Sequence, residues 1–180
     1  MKHFHQPSYI PQQFALLRLS ELQKEHESIE FLYEKANQVL KNKNHKIIAG
    51  FKLVLAYKML GFHNYGDAKK LIDESIEIYH KLGKEKGDRN LAFAHRVLGD
   101  WHAAQNQLNE AITNYMIAYD NYKSGLLQLK ITEVSELDHK LVSALKRKND
   151  VFSAKFFFQK HVDIFGADHK TSIELLQLVS

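Results

Sequence analysis

The chain has 180 residues, 44% of them hydrophobic and 26% charged, a make-up typical of a water-soluble protein long enough to bury a substantial core. It contains no cysteine, which excludes disulfides and thiolate metal sites. The formal net charge of +4 is spread along the whole length, with Lys146-Arg147-Lys148 as the only basic cluster. That argues against a nucleic-acid partner, whose footprint is a basic stripe.

The first thirteen residues, MKHFHQPSYIPQQ, are polar and carry both prolines, so they do not read as a signal peptide. Pro7 and Pro11 oppose helix, and residues 1–11 are expected to be a flexible arm. No apolar run approaches the roughly 20 residues a membrane helix needs. The expectation is a cytoplasmic protein with no membrane partner.

From residue 12 onward the apolar spacing is helical. Phe14, Leu17 and Leu22 share one face, and Ser20 with Gln23 makes a capping box for a second helix start. Ile29, Leu32, Tyr33, Ala36, Val39 and Leu40 continue the spacing to the polar break KNKNHK. Residues 12–45 are therefore predicted to be N-terminal helices. Helices then follow over 47–60 and 68–82, with Gly83 as a left-handed stop. The scheme recurs over 88–105 and 108–123, ending at Gly125, and over 126–148 and 151–165, ending at Gly166. Thr171 and Glu174 form a capping box for a last helix with Ile173, Leu176 and Val179 apolar.

These hairpins are copies of one unit. Ala68, Ala111 and Ala154 are spaced by 43 residues, and so are Leu55, Leu98 and Leu141. Met59, His102 and Leu145 keep the same register, as do Ile72, Tyr115 and Phe158. A two-helix period within the range of about 20–50 residues signals a solenoid, in which each hairpin buries its apolar face against its neighbours.

The stretch 92–125 resembles a tetratricopeptide repeat (TPR). It reads His95-x2-Leu98-Gly99-x2-His102, then Ala111-x3-Tyr115, with Ala118 as the second small residue. It departs from the pattern in having histidine for both aromatics of the first helix and no closing proline. The copies at 49–82 and 135–168 are weaker, the latter placing Val142 and His161 where small residues are expected. The long period is similar to the repeats of kinesin light chains, LGN-type scaffolds and bacterial Rap/PlcR peptide receptors. The resemblance implies an all-α, right-handed solenoid of about three hairpins over 12–180, with residues 170–180 as a capping helix.

It also implies a concave groove lined by the first helix of each hairpin. By register the groove columns are Gly50, Phe93 and Glu136; Leu53, Arg96 and His139; Tyr57, Asp100 and Ser143; and Leu60, Ala103 and Lys146. The partner-binding candidates are Leu53, Tyr57, Phe93, Arg96, Asp100, Glu136, His139, Lys140, Ser143 and Lys146. Such a lining suits a peptide or helix of another protein with an apolar anchor and an acidic portion. In the other reading, Leu53, Tyr57 and Phe93 pack against the N-terminal helices. The carboxylate clamp of chaperone-binding relatives is absent, since Leu53, Tyr57, Val97 and Glu136 stand at its positions and only Lys140 has the matching charge.

Chemistry finds little support. His95 and His102 are seven apart, whereas metal-binding helices present histidines three or four apart, so packing is the expected role. His139 is placed to tune an acidic ligand by protonation. Asp100 and Glu136 are expected side by side, with Arg96 turning them into an ion-pair network rather than a hydrolytic pair. Lys146-Arg147-Lys148 reads as a solvated helix end. The sequence thus predicts no catalysis, cofactor or metal. It predicts an adaptor, chaperone or immunity-like binding module, with a peptide-sensing regulator or an oligomer paired through residues 173–179 as alternatives.

Overall fold

A computed structural model of the chain describes residues 26–40, 44–83, 88–124 and 131–180, and among them every regular element is an α-helix. The chain divides into two compact units, Met1–Leu82 and Gly83–Ser180. The first contains α1 (His26–Val39), α2 (Lys46–Gly61) and α3 (Tyr65–Lys81). The second contains α4 (Arg89–Ala104), α5 (Leu108–Ser124), α6 (Ile131–Arg147), α7 (Val151–Phe165) and α8 (Lys170–Val179). Pairs α2–α3, α4–α5 and α6–α7 are the three expected hairpins. The expected arm 1–11, the helix through Phe14, Leu17 and Leu22, the start at Ser20 and the stop at Gly125 lie outside the described residues.

Four columns of the 43-residue repeat are buried in all three hairpins. They are Ala49, Ala92 and Ser135; Ala56, Gly99 and Val142; Ala68, Ala111 and Ala154; and Ser75, Ala118 and His161. Each helix carries two of them seven residues apart, two turns along one face. Small side chains there let the paired backbones approach. The Ser75 hydroxyl, for example, donates to the Ala49 carbonyl across the first hairpin at 2.9 Å. In the second hairpin Gly99 faces the ring of Tyr115, and a Cβ at Gly99 would lie 2.5 Å from two ring carbons. Val142 and His161 are the large exceptions, and both are fully buried.

The turns repeat as faithfully as the columns. His63, Asn106 and Asn149, again 43 apart, all adopt left-handed backbone with φ of 60°, 60° and 67°. In each turn the next amide reaches back five residues: Asn64 to Met59, Gln107 to His102, Asp150 to Leu145. This is the Schellman closure, which satisfies carbonyls the helix end leaves free. Asparagine tolerates that conformation better than most residues. Gly83 and Gly166 end α3 and α7 with φ of 67° and 87°, as the sequence led us to expect.

N-caps set the starts. The Asp88 carboxylate accepts from the amides of Asn90 and Leu91, and Asp150 accepts from Ser153. Two expected starts are corrected. Helix α3 begins at Tyr65 rather than at 68, because the Asn64 side chain caps it by accepting from the Asp67 amide. Helix α8 is capped by His169, whose Nδ1 accepts from the Thr171 amide at 3.3 Å. Thr171 lies inside the helix, where its hydroxyl is 2.7 Å from that of Ser135 on α6.

In the first unit α1 packs on α2, and Tyr33 joins Leu71 against Val54 and Leu55. Lys52 bonds Glu74 across the hairpin and lies 5.7 Å from the Tyr33 ring centre. Burial opposes its charge, but Glu74 and Tyr33 outweigh that and hold its pKa above the ordinary lysine value. In the second unit one apolar core runs from Ala92 through Tyr115, Leu137 and Leu141 to Leu175 and Val179, so α8 seals the last hairpin.

The packing predicts opposite outcomes at two helical glycines. Gly99→Ala should cost about 1–3 kcal/mol through overpacking on Tyr115. Gly50→Ala meets nothing closer than the Tyr79 hydroxyl at 4.0 Å and should gain up to about 1 kcal/mol from helix propensity. Urea midpoints at unchanged slope measure both; shifts of the same sign would contradict the assignment.

Candidate interaction surface

The candidate surface of the second unit is the face shared by α4 and α6. Helix α5 packs against both, and long side chains join α4 to α6 across it. Arg89 forks onto Glu133, with Nε to Oε2 at 3.0 Å. Arg96 Nη1 donates to Glu136 at 2.8 Å. Lys140 Nζ donates to both oxygens of Asp100, at 2.8 and 3.0 Å. At the far end Arg147 Nη2 donates to the Ala103 carbonyl and to Asn106 Oδ1, at 3.2 and 3.1 Å. Start pairs with start and end with end, so α4 and α6 run parallel.

Asp100 is the node of this ladder, because the Tyr115 hydroxyl also donates to it at 2.8 Å. Burial, reinforced by the neighbouring Asp100 charge, pushes the Tyr115 pKa far above the ordinary tyrosine value, so the hydroxyl keeps its proton. Burial likewise pushes Tyr122 up to about 12. One carboxylate thus ties α4, α5 and α6 together.

The ladder redistributes the expected site residues. Arg96 is buried, with its guanidinium 4.9 Å from the Phe93 ring centre, and so is structural rather than open groove surface. Leu53, in the first unit, is fully buried on the same face of α2 as Ala49 and Ala56, and so belongs to the core. Tyr57, on α2, is 45% exposed. Phe93, Asp100 and Ala103 on α4 and His139, Lys140, Ser143 and Lys146 on α6 are half-buried, and Glu136 is exposed. Asp100 and Glu136 are not a carboxylate pair, since each is matched to a cation on the other helix.

The sequence reading also missed participants. Arg147 is a staple onto the α4–α5 turn rather than a purely solvated end. Arg89 and Glu133 were not singled out. The signal lay in opposite charges offset by 40 or 44 residues, three residues short of the 43-residue columns or one beyond them. His95 and His102 lie within hairpin contacts, with Nδ1 atoms 3.0 Å from Asn114 Oδ1 and 2.7 Å from Gln107 Oε1. Among the described residues no three His, Asp or Glu side chains gather as a metal ion would require. No described helix is long and apolar enough to cross a membrane.

Behind this face, where α6 and α7 meet α8, lies a buried pair. His161 Nδ1 is 2.8 Å from Asp138 Oδ2, and the imidazole stacks on Phe165 with centres 4.4 Å apart. His161 occupies the column filled by Ser75 and Ala118 in the other hairpins, and its Nε2 has no hydrogen-bond partner among the described residues. Burial pushes the Asp138 carboxyl up to about 7 and the imidazole down to about 4. Both shifts favour the uncharged forms.

No protein-family model matches this chain, and no curated protein matches it in sequence. Among solved structures it is similar to nearly identical TPR-like repeats from a Podosopora anserina protein named for kinesin light chains. The TM-score is 0.72 at 17% identity, over 98% of this chain and 86% of that one. At that identity the likeness is one of fold. The chain has the expected α-solenoid fold of TPR-like hairpins.

The Asp138–His161 pair makes a pH prediction. A raised carboxyl contributes stability present below its ordinary 3.8 and lost as pH rises through about 7. A lowered imidazole contributes stability present above its ordinary 6.5 and lost as pH falls through about 4. Over the shared window the two oppose each other and nearly cancel. His161→Ala leaves the carboxyl alone, so its stability should fall with rising pH by up to about 1.4 kcal/mol per unit. Urea unfolding of both proteins at about pH 5 and about pH 6.5 reads the difference; a gap independent of pH would contradict it.

Proposed function

We propose that this chain is a non-catalytic interaction module that holds a peptide or helix of another protein on the α4–α6 face, as an adaptor, chaperone or immunity-like protein in the cytoplasm does. The observation carrying this reading is the ladder itself. Arg96, Asp100 and Lys140 are committed to holding the two helices in register. That makes a stiff platform on which His139, Ser143, Lys146, Glu136 and the edge of Phe93 stay within reach of a partner. A preorganised surface that mixes an aromatic edge with polar groups favours recognition, because little is lost in ordering it.

The TPR-like fold supports the same reading, since such hairpins generally serve protein–protein contact. The pairing of Asp100 with Lys140 and of Glu136 with Arg96 removes the carboxylate pair on which a hydrolytic reading would depend.

The decisive substitutions are those outside the ladder. His139→Glu, Ser143→Arg and Lys146→Glu together should leave helicity and thermal midpoint unchanged. They should reduce partner capture by more than about tenfold, as interface centres do when altered. Cross-linked capture from the chain's own cell extract, quantified by mass spectrometry against the parent chain, measures this. Equal recovery of the same proteins by both chains would place binding elsewhere.

A further inference from the structure

The outward ridge of the second helix differs among the three hairpins. On α5 it reads Asn109, Thr113 and Ile117, followed by the buried Asn121, and the Thr113 and Asn121 side chains turn back onto their own helix carbonyls at 2.9 Å. On α3 the same positions are Gly66, Lys70 and Glu74, followed by the buried Ile78. On α7 they are Phe152, Phe156, Lys160 and Ile164, and the three apolar residues are 85%, 50% and 61% exposed. Solvent-facing phenylalanine thus stands at Phe152 and Phe156, where the sister helices carry Gly66 and Asn109, and Lys70 and Thr113. These four residues form one i, i+4 ridge, about 18 Å long at helical rise, the kind that fits the groove of a crossing helix.

The charges around this ridge select what covers it. Lys160 Nζ lies 4.6 Å from the Phe156 ring centre and 5.8 Å from that of Phe157. Lys155 is exposed beside the ridge and Lys148 in the turn before it. The acid on this helix, Asp163, already accepts from Gln159 at 2.8 Å. Pairing the ridge with a second copy would set these lysines against one another. An acidic helix meets them with opposite charge while its apolar residues cover the rings.

We infer that the outer ridge of α7 is a second docking surface, separate from the α4–α6 face, for an acidic amphipathic helix of a partner protein. Phe152 and Phe156 are its anchors, and Lys155 and Lys160 choose the sign of the partner. The crossing geometry limits contact to two or three turns of the incoming helix. Its apolar residues therefore recur at i, i+3 or i+4, and i+7, with Asp or Glu between them.

The test selects displayed 16-residue helical peptides of random sequence on the full chain, with counter-selection on the Phe152→Ser/Phe156→Ser variant, whose changes are at exposed positions. The survivors should share that apolar spacing and carry net negative charge. They should bind Lys155→Glu/Lys160→Glu more than about tenfold more weakly than the parent chain. Three results would overturn the inference: no peptide survives counter-selection; survivors lack net negative charge or are indifferent to the lysines; or sedimentation shows a dimer of the parent chain that the Phe152→Ser/Phe156→Ser variant abolishes, which would assign the ridge to a second copy.

Discussion

The Tyr115 ring lies directly against Gly99, and the rest of the second unit follows from that contact. At this separation a Cβ would collide with the ring, and Gly99 is the residue that permits the approach. Once seated, the same side chain delivers its hydroxyl to the next residue along, Asp100. That carboxylate in turn receives Lys140 from the following hairpin. An apolar packing event inside one hairpin thereby fixes a polar link between two hairpins. Without the close approach, the hydroxyl would miss the carboxylate and the ladder would lose its node.

The ladder solves a spacing problem. In the second unit α5 packs against both α4 and α6, and those two helices are joined mainly by long side chains. Arginine and lysine span that distance, and their stems cover apolar surface while their heads find carboxylates. Exposed ion pairs contribute little singly. Arg96 and Asp100 are largely buried, however, and losing the partner of a buried charge is costly. The face is held by charge yet remains partly open at Phe93, His139 and Ser143.

Much of the fold was legible because packing repeats. The columns through Ala68 and Leu55, and the paired helices, could be read from 43-residue spacing, and α7 spans the residues expected of it. Left-handed turns at His63, Asn106 and Asn149 were equally periodic, but unlike side chains hid them. The site was less legible. Columns identify equivalent residues, whereas contacts join residues off the column, so Arg96 meets Glu136, three residues before His139. Burial was also invisible to register: Leu53 and Arg96 occupy groove columns yet lie inside. Tyr115 read only as an apolar repeat position, because its hydroxyl's target depends on how closely the helices approach.

The third hairpin shows how far the template bends. Val142 stands where the second hairpin has Gly99, His161 replaces the second small residue, and Asp138 supplies the imidazole's partner. The central claim concerns the hairpin that keeps the glycine, and a double-mutant cycle between Gly99 and Tyr115 tests it most directly. If the ring on the glycine is the keystone, Gly99→Ala is costly in the parent chain but neutral or favourable in a Tyr115→Ala background, with a coupling of about 1–3 kcal/mol. Additive effects of the two substitutions would contradict the account.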